Sequence, residues 1–425
     1  MEEKKKMGLT TKIFIGLIGG LVTGVIFNLA IPNGYVRDVV FVDGIFYVIG
    51  QGFIRLMKML VVPLVFCSLV CGASAIGDTK SLGKIGVKTI VFYLFTTAFA
   101  VTVAITVATF IRPGIGLDMA SIEKGSEVVA TSTSMVDTLL NIIPENPINA
   151  LAEGTMLQII LFALLLGILL AKMGEDASMI TTLFNQFNDL MMEMTTLIMH
   201  LAPIGVFCMI ARTFSNLGFN AFVPLLKYMS GVVIGLAIQC FVVYMILLIV
   251  FTRLNPLTFL KKFFPVMAFA FSTSTSNATI PLNIDTLDEK LGVSRRIASF
   301  TIPLGATINM DGTSIMQGVA VVFAAQAYGM TLGLKGYLTV IATATLASIG
   351  TAGIPSVGLV TLSMVFASVG IPVEAIALIM GIDRILDMLR TAVNITGDAV
   401  CTTIVACQNG EVDREIFNNM ELADE

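Results

Sequence analysis

The sequence predicts an all-α polytopic membrane protein with eight transmembrane helices and two re-entrant helical hairpins that enter from opposite sides. Three observations predict it. Of 425 residues, 56% are hydrophobic and only 13% charged, and the mean hydropathy of +0.92 lies far above that of water-exposed globular domains. Apolar runs of about 18 residues or more recur along the chain, so it crosses the bilayer many times. Period-2 alternation is not seen, which favours helices over a barrel because a spanning segment must satisfy its own backbone groups.

The basic start MEEKKK leads into IFIGLIGGLVTGVIFNLAI without a small-residue cleavage site, so the first helix is expected to be retained. Hydrophobic runs and breaks place spanning helices at 11–31, 42–76, 84–111, 136–172, 180–215, 222–252, 297–328 and 372–407. The second, fourth and fifth exceed the roughly 20 residues that a perpendicular span needs, so they should tilt or break. Pro144 and Pro147 mark one such break.

Basic residues set the expected orientation. With the N-terminus inside, the inner segments hold Lys4, Lys5, Lys6, Lys12, Lys80, Lys84, Lys88, Lys172, Arg253, Lys261, Lys262, Lys290, Arg295 and Arg296. The outer loops hold only Arg37, Arg112, Lys124, Arg212, Lys227 and Lys335, and that bias fits the positive-inside rule. A multi-pass protein of the cell (inner or plasma) membrane with both termini cytoplasmic is therefore expected.

Basic residues flank 263–289 on both sides, so this segment enters and leaves from the cytoplasm as a hairpin. Its centre, FSTSTSNATIPLN at 271–283, suits an irregular tip buried in protein. A second hairpin is expected at 345–371, with the tip ASIGTAGIPSVG at 347–358 and its ends outside. The competing reading of each tip is a plain extramembrane loop. The tips resemble each other, N-A-T-I-P against T-A-G-I-P, and each precedes a helix interrupted by polar residues, NMDGTS at 309–314 and DMLRTAVNITGD at 387–398. Two such units of opposite orientation form an inverted repeat, which places a binding site at its interface near the midplane.

The last helix carries the chemistry. At 100° per residue, Asp383, Asp387, Arg390, Asn394 and Asp398 fall within an arc of about 80°, with Arg384 and Thr391 on its edge. Each Asp or Arg at the bilayer centre costs roughly 2.5–3.5 kcal/mol on an insertion scale, so this stripe cannot face lipid. A structural ion-pair network is the competing reading. With Asp311 included, however, the face holds four carboxylates, Asp311, Asp383, Asp387 and Asp398, against the guanidiniums of Arg384 and Arg390. The surplus negative charge needs cations or protons. Asn309, Asp311, Asn394, Asp398 and the carbonyls of an unwound NMDGT stretch offer the oxygen ligands that a hard ion such as sodium prefers.

For a substrate the logic is reversed. A guanidinium fork binds a carboxylate bidentately and a nearby aspartate holds an ammonium, so Arg390 and Asp387, three residues apart, fit a ligand with two carboxylates and one amine. The hairpin tips, with Ser276 and Thr313, offer further polar groups and can act as gates.

Other chemistries find little raw material. Cys67, Cys71, Cys208, Cys240, Cys401 and Cys407 lie in apolar text without metal-ligand spacing, and His200 is the single histidine, read as an interfacial residue near a helix end. The formal charge of −4 suggests no nucleic-acid partner. Nucleophile-elbow, P-loop and metal motifs are not found, so no enzyme is expected.

The runs STSTSNATIP, ATINMDGTS, SIGTAGIPSVG and DRILDMLRTAVNITGD resemble the glutamate/aspartate transporter family, the dicarboxylate/amino acid:cation symporters, and the resemblance covers nearly the whole chain. It implies a homotrimer in the lipid bilayer that takes up acidic amino acids with sodium ions, by an elevator-type alternating-access mechanism. Segments 1–78 (helices 1–2) and 113–218 (helices 4–5) would form a scaffold domain. Segments 79–112 (helix 3) and 219–425 (helix 6, hairpin 1, helix 7, hairpin 2 and helix 8) would form the transport domain. By motif position, Arg390 would bind the substrate's side-chain carboxylate and Asp387 its amino group, with Thr391, Asn394, Ser276, Thr313, Thr351, Gly353, Ile354 and Gly358 completing the pocket. One sodium would be held by Gly305, Asn309, Asn394 and Asp398. A second would use Thr307, Ser348, Ile349 and Thr351, and a third Asn309 and Asp311 with Tyr93, Thr96 and Thr97.

Two departures from the family pattern stand out. Thr275, Ser276 and Asn277 occupy the usual run of three serines, and Arg384 is an extra arginine in the last helix. Neutral amino acid carriers generally lack the arginine at the Arg390 position, and C4-dicarboxylate carriers the aspartate at Asp387. Possession of both favours aspartate or glutamate. Proton coupling, those other substrates and an anion channel are the alternatives.

Overall fold

The computed structural model describes residues 9–32, 34–75, 83–117, 143–217, 222–349 and 357–420, and the described residues are helical apart from short connections and one isolated bridge between Val293 and Val412. Helix α1 spans Leu9–Leu29. A π-helical stretch, Tyr35–Phe46, runs directly into α2, Tyr47–Ala75. Next come α3 (Gly83–Ile111), α4 (Pro147–Glu153), α5 (Met156–Met173), α6 (Ser178–Met199) and α7 (Ala202–Leu217). Helix α8 covers Phe222–Thr252 with a π-helical turn at Gln239–Val243. The remainder comprises α9 (Pro256–Thr273), α10 (Ser276–Asp285, extended by Thr286–Lys290), α11 (Arg295–Ile308), α12 (Asp311–Ala327), α13 (Leu334–Ser348), α14 (Val357–Ser368), α15 (Ile376–Gln408) and α16 (Arg414–Asn418).

Of the three long predicted spans, the fourth and fifth break, whereas the second runs on unbroken through Pro63 over Tyr47–Ala75. The fourth predicted span is interrupted at Gly154, whose φ of 71° suits glycine, and Asn146 caps α4 ahead of Pro147 by accepting from the amides of Ile148 and Asn149. The fifth breaks between α6 and α7 with a 53° bend. His200 caps the end of α6, with its Nδ1 2.8 Å from the Thr196 carbonyl.

Two groups of helices pack internally. Helices α1, α2, α5, α6 and α7 pack on one another, while α3 packs with α8 and with α11–α13, and α15 lies against α8–α12. In the first group, Gly16, Gly20 and Gly24 repeat every four residues on one face of α1. A Cβ added there would come within 2.3 Å of the Pro203 carbonyl, 2.6 Å of that of Phe207 and 2.7 Å of that of Ala211, so the glycines set how closely α1 approaches α7. In the second group, the small residues Ala100, Ala104 and Ala108 of α3 are fully buried, and Gly318 of α12 lies against Ala104.

By length and composition, Thr11–Leu29, Ile85–Ile111 and Phe222–Thr252 are able to cross a membrane, and the bent α5–α6 plus α7 pair passes the same test as one unit. Two of the other expected spans fail it for a physical reason: α15 carries the polar stripe, and the 297–328 run is split at Asn309–Met310. Such helices bury their polar faces in protein rather than exposing them to lipid.

The hairpins correct the expectations in detail. Helices α9 and α10 pack together across a connection of only Ser274 and Thr275, so the tip is far shorter than the irregular 271–283 expected. Ser274 takes the left-handed conformation, φ 53°, that closes α9. Pro281 is accommodated within α10. Helices α13 and α14 also pack together, and the tip between them, 350–356, lies outside the described residues. The last helix is not interrupted: α15 runs unbroken through its polar residues, so only the first repeat unit has a broken helix.

Candidate functional site

The site forms where the α11–α12 break crosses the middle of α15. At the break, Asn309 is extended, with ψ 98°, which frees backbone groups in the protein interior. The partners come from α15: Asn394 Oδ1 accepts from the Gly312 amide at 2.7 Å, and Asn309 Nδ2 donates to the Asn394 carbonyl at 3.0 Å and to Asp398 Oδ1 at 2.9 Å. Glycines allow this approach. A Cβ at Gly305 would lie 2.4 Å from Asp398 Oδ1, one at Gly312 2.7 Å from the Arg390 carbonyl, and one at Gly397 2.4 Å from the Tyr244 hydroxyl.

Four charged side chains line up on α15. Arg390, 1% exposed, donates from Nη1 to Asp383 Oδ1 at 2.6 Å and from Nη2 to Asp387 Oδ1 at 2.7 Å. Arg384, 15% exposed, reaches Asp387 Oδ2 at 3.4 Å. Asp383 Oδ2 and Arg390 Nε are buried without a hydrogen-bond partner. The tetrad is neutral in sum, with each oxygen of Asp387 facing a different guanidinium. Charged groups in this interior are tolerable because they compensate each other at short range.

Asp311 and Asp398 are different. Both are buried, and neither has a basic partner among the described residues. Asp311 Oδ1 accepts from Thr97 at 2.6 Å, and its Oδ2 accepts from Gln239 at 2.9 Å and from Tyr244 at 2.8 Å. Beside them, Asn309 Oδ1 is a buried acceptor without a donor. Two carboxylates and an orphaned amide oxygen form an oxygen-rich nest that suits a hard monovalent cation or a proton.

Several sequence-predicted residues gather here. Tyr93 is buried, its hydroxyl 3.4 Å from the Thr301 carbonyl and close against Gly305. Thr97 bonds Asp311, while the Thr96 hydroxyl turns back to the Tyr93 carbonyl at 3.2 Å. Thr313 is buried with its hydroxyl 3.9 Å from Met310 Sδ, and Thr391 donates to the Asp387 carbonyl at 2.9 Å. Gly358 of α14 approaches from the second hairpin: a Cβ there would lie 2.9 Å from Thr313 Cγ2 and 3.5 Å from Arg390 Nη2. Ser276 is buried at the start of α10, which packs on α15.

Others stand apart. The Thr307 hydroxyl bonds the Leu304 carbonyl and that of Ser348 the Thr345 carbonyl, and Ile349 bonds back to Leu346, so these three satisfy their own helices. Thr351, Gly353 and Ile354 lie outside the described residues.

Sequence reading missed Gln239 and Tyr244, which donate to Asp311 from α8. Their only signal was a glutamine in an otherwise apolar run. It counted Lys262 only among the basic residues of the inner segments, whereas its ammonium is buried and donates to the carbonyls of Lys290, Ile416 and Phe417 at 2.8–2.9 Å. Arg37 is likewise buried, donating to the Ser215 carbonyl at 2.5 Å.

A helical protein with apolar membrane-length segments, whose packed interior holds paired charges and buried carboxylates, has the build of a polytopic membrane protein. The comparisons identify its kind. Residues 9–407 match the sodium:dicarboxylate symporter family. Over 420 residues the chain is 36% identical to a proton/sodium-glutamate symport protein of Bacillus caldotenax, covering 97% of each chain. It is 35% identical over 379 residues to a proton/glutamate-aspartate symporter of Escherichia coli (strain K12), covering 86% of each. It is 34% identical over 384 residues to neutral amino acid transporter B(0) of Bos taurus, covering 82% of this chain and 71% of the other. The chain belongs to the sodium:dicarboxylate symporter family, a family of membrane transporters rather than enzymes.

Proposed function

We propose that this protein is a secondary active symporter that takes up acidic amino acids, aspartate or glutamate, coupled to sodium ions. The observation that carries this reading is the buried adjacency of Arg390 and Asp387, 2.7 Å apart, beneath Gly358 of the second hairpin and beside the α11–α12 break. Arg390 offers its fork to a substrate carboxylate while keeping Asp383 as counter-ion, and Asp387 accepts the ammonium. Thr391, Asn394, Thr313, Ser276 and Gly358, with Thr351, Gly353 and Ile354 of the hairpin tip, complete the pocket. One substrate thus satisfies two buried groups of opposite sign.

Sodium is the coupling ion in this reading. Asp311 with Asn309, Tyr93, Thr96 and Thr97 forms one cation site, and Asp398 with Asn309, Asn394 and Gly305 another. A third lies at Thr307, Ser348, Ile349 and Thr351. The two carboxylates without basic partners and the orphaned Asn309 oxygen support it, since a cation supplies the missing charge. The same groups also suit protons, and the relatives' names include proton coupling. The proton reading is therefore the second one.

The denser packing within α1, α2 and α5–α7 and within α3 and α8–α15 supports a scaffold and a transport domain. In this reading the transport domain slides as an elevator, and the protein is a homotrimer in the plasma membrane with both termini inside. Uptake of radiolabelled aspartate into proteoliposomes under an imposed sodium gradient, and separately a proton gradient, tests substrate class and coupling together. Concentrative uptake driven by sodium alone is expected. Uptake driven only by protons would replace the coupling ion, and no concentrative uptake under either gradient would contradict the symporter reading.

A further inference from the structure

The tetrad contains one more cation than the proposed substrate chemistry uses. Arg390 accounts for the substrate carboxylate and Asp387 for the amine, which leaves Arg384, whose Nη1 stands 3.4 Å from Asp387 Oδ2. That oxygen is distinct from the one Arg390 holds, so Arg384 and Arg390 do not compete for the same acceptor. Arg384 lies one turn before Asp387 on the same helix and is the more exposed of the two, 15% against 8%, so its long side chain has room to withdraw. Two guanidiniums balance two carboxylates only while Arg384 stays in place.

We infer that Arg384 is a stand-in for the substrate's ammonium: it compensates Asp387 when no amine is present and yields to the amine when one binds. Arg384 is then a positioning residue that sets how strongly the site discriminates between amine-bearing and amine-free dicarboxylates. This inference rests on the assignment of Arg390 and Asp387 to substrate. An amine-bearing ligand brings its own positive charge to Asp387 and has to displace Arg384. A dicarboxylate without an amine brings none, and it is tolerated only to the extent that Arg384 keeps Asp387 compensated. Removing Arg384 therefore relieves aspartate of a competitor while taking from succinate one of the two guanidiniums that face Asp387.

The test uses the full-length protein in proteoliposomes, with radiolabelled L-aspartate as the transported probe and unlabelled succinate as competitor. The readout is the ratio of succinate inhibition constant to aspartate KM in wild type, Arg384→Met, Arg384→Gln and Arg384→Lys. A charge-assisted interaction that strengthens for one ligand and weakens for the other shifts the ratio by about tenfold to a hundredfold. The ratio is expected to rise by at least about tenfold in the Met and Gln variants and to return toward the wild-type value in Lys, which keeps the charge. The glutamine variant carries the comparison should the methionine variant fail to reach the membrane. A ratio unchanged in both neutral variants overturns the role given to Arg384, as does an equal rise in Lys. Wild-type protein that transports no aspartate would instead overturn the substrate assignment itself.

Discussion

Asp311→Asn isolates the charge of one buried carboxylate while preserving its outline. In the native chain Oδ1 accepts from Thr97, and Oδ2 accepts from both Gln239 and Tyr244. An asparagine keeps these partners by turning its oxygen toward Gln239 and Tyr244 and its NH2 toward the Thr97 hydroxyl, which rotates to accept. Three hydrogen bonds to a charged acceptor become neutral ones, each weaker by about 1 kcal/mol, while the burial of a carboxylate without a basic partner is relieved. Folding stability should thus change by less than about 2 kcal/mol. Cation binding should change far more. A monovalent ion about 4 Å from the carboxylate gains roughly 4 kcal/mol at an effective dielectric of about 20, equivalent to about a thousandfold in affinity. The assay is aspartate binding to purified protein, by titration calorimetry, across a series of sodium concentrations. The half-saturating sodium concentration is expected to rise by about two to three orders of magnitude while the melting temperature moves by a few degrees at most. A folded Asp311→Asn protein with sodium dependence within about twofold of wild type would remove the cation from Asp311.

Two further perturbations test the packing that frames the site. Gly20→Leu on α1 drives a side chain into the Phe207 carbonyl, 2.6 Å from the added Cβ; over-packing of this kind costs about 1–3 kcal/mol, so the melting temperature should fall. Lys262→Met strips three backbone carbonyls of their shared donor, a loss of about 2–4 kcal/mol. It should appear as lower thermal stability and as faster proteolysis of the segment around α16.

Much of the site was legible in the sequence because ionisable residues are so costly in apolar helices that their periodicity stands out. Asp383, Asp387, Arg390, Asn394 and Asp398 do share one buried face of α15. The break at Asn309 was legible too, since NMDG combines weak helix formers with a glycine. Less visible were groups whose role depends on a partner distant in sequence. Gln239 and Tyr244 lie 72 and 67 residues from Asp311, and nothing local distinguishes a tyrosine that donates to a carboxylate from one that packs. Lys262 misled because counting positive charges treats every lysine near a helix end as solvated, yet three carbonyls at the ends of neighbouring segments solvate this one instead. The continuity of α15 through its polar residues follows from pairing within the helix: Arg390 pairs with one oxygen each of Asp383 and Asp387 without unwinding the backbone.

The most direct measurement is radiolabelled aspartate uptake by Arg390→Thr in proteoliposomes, beside wild type and Arg390→Lys, with protein amounts matched. Removal of the fork should abolish aspartate uptake, and lysine, which supplies charge without bidentate geometry, should recover only a small part of it. Aspartate uptake by Arg390→Thr at the wild-type rate and KM would show that the substrate carboxylate binds elsewhere.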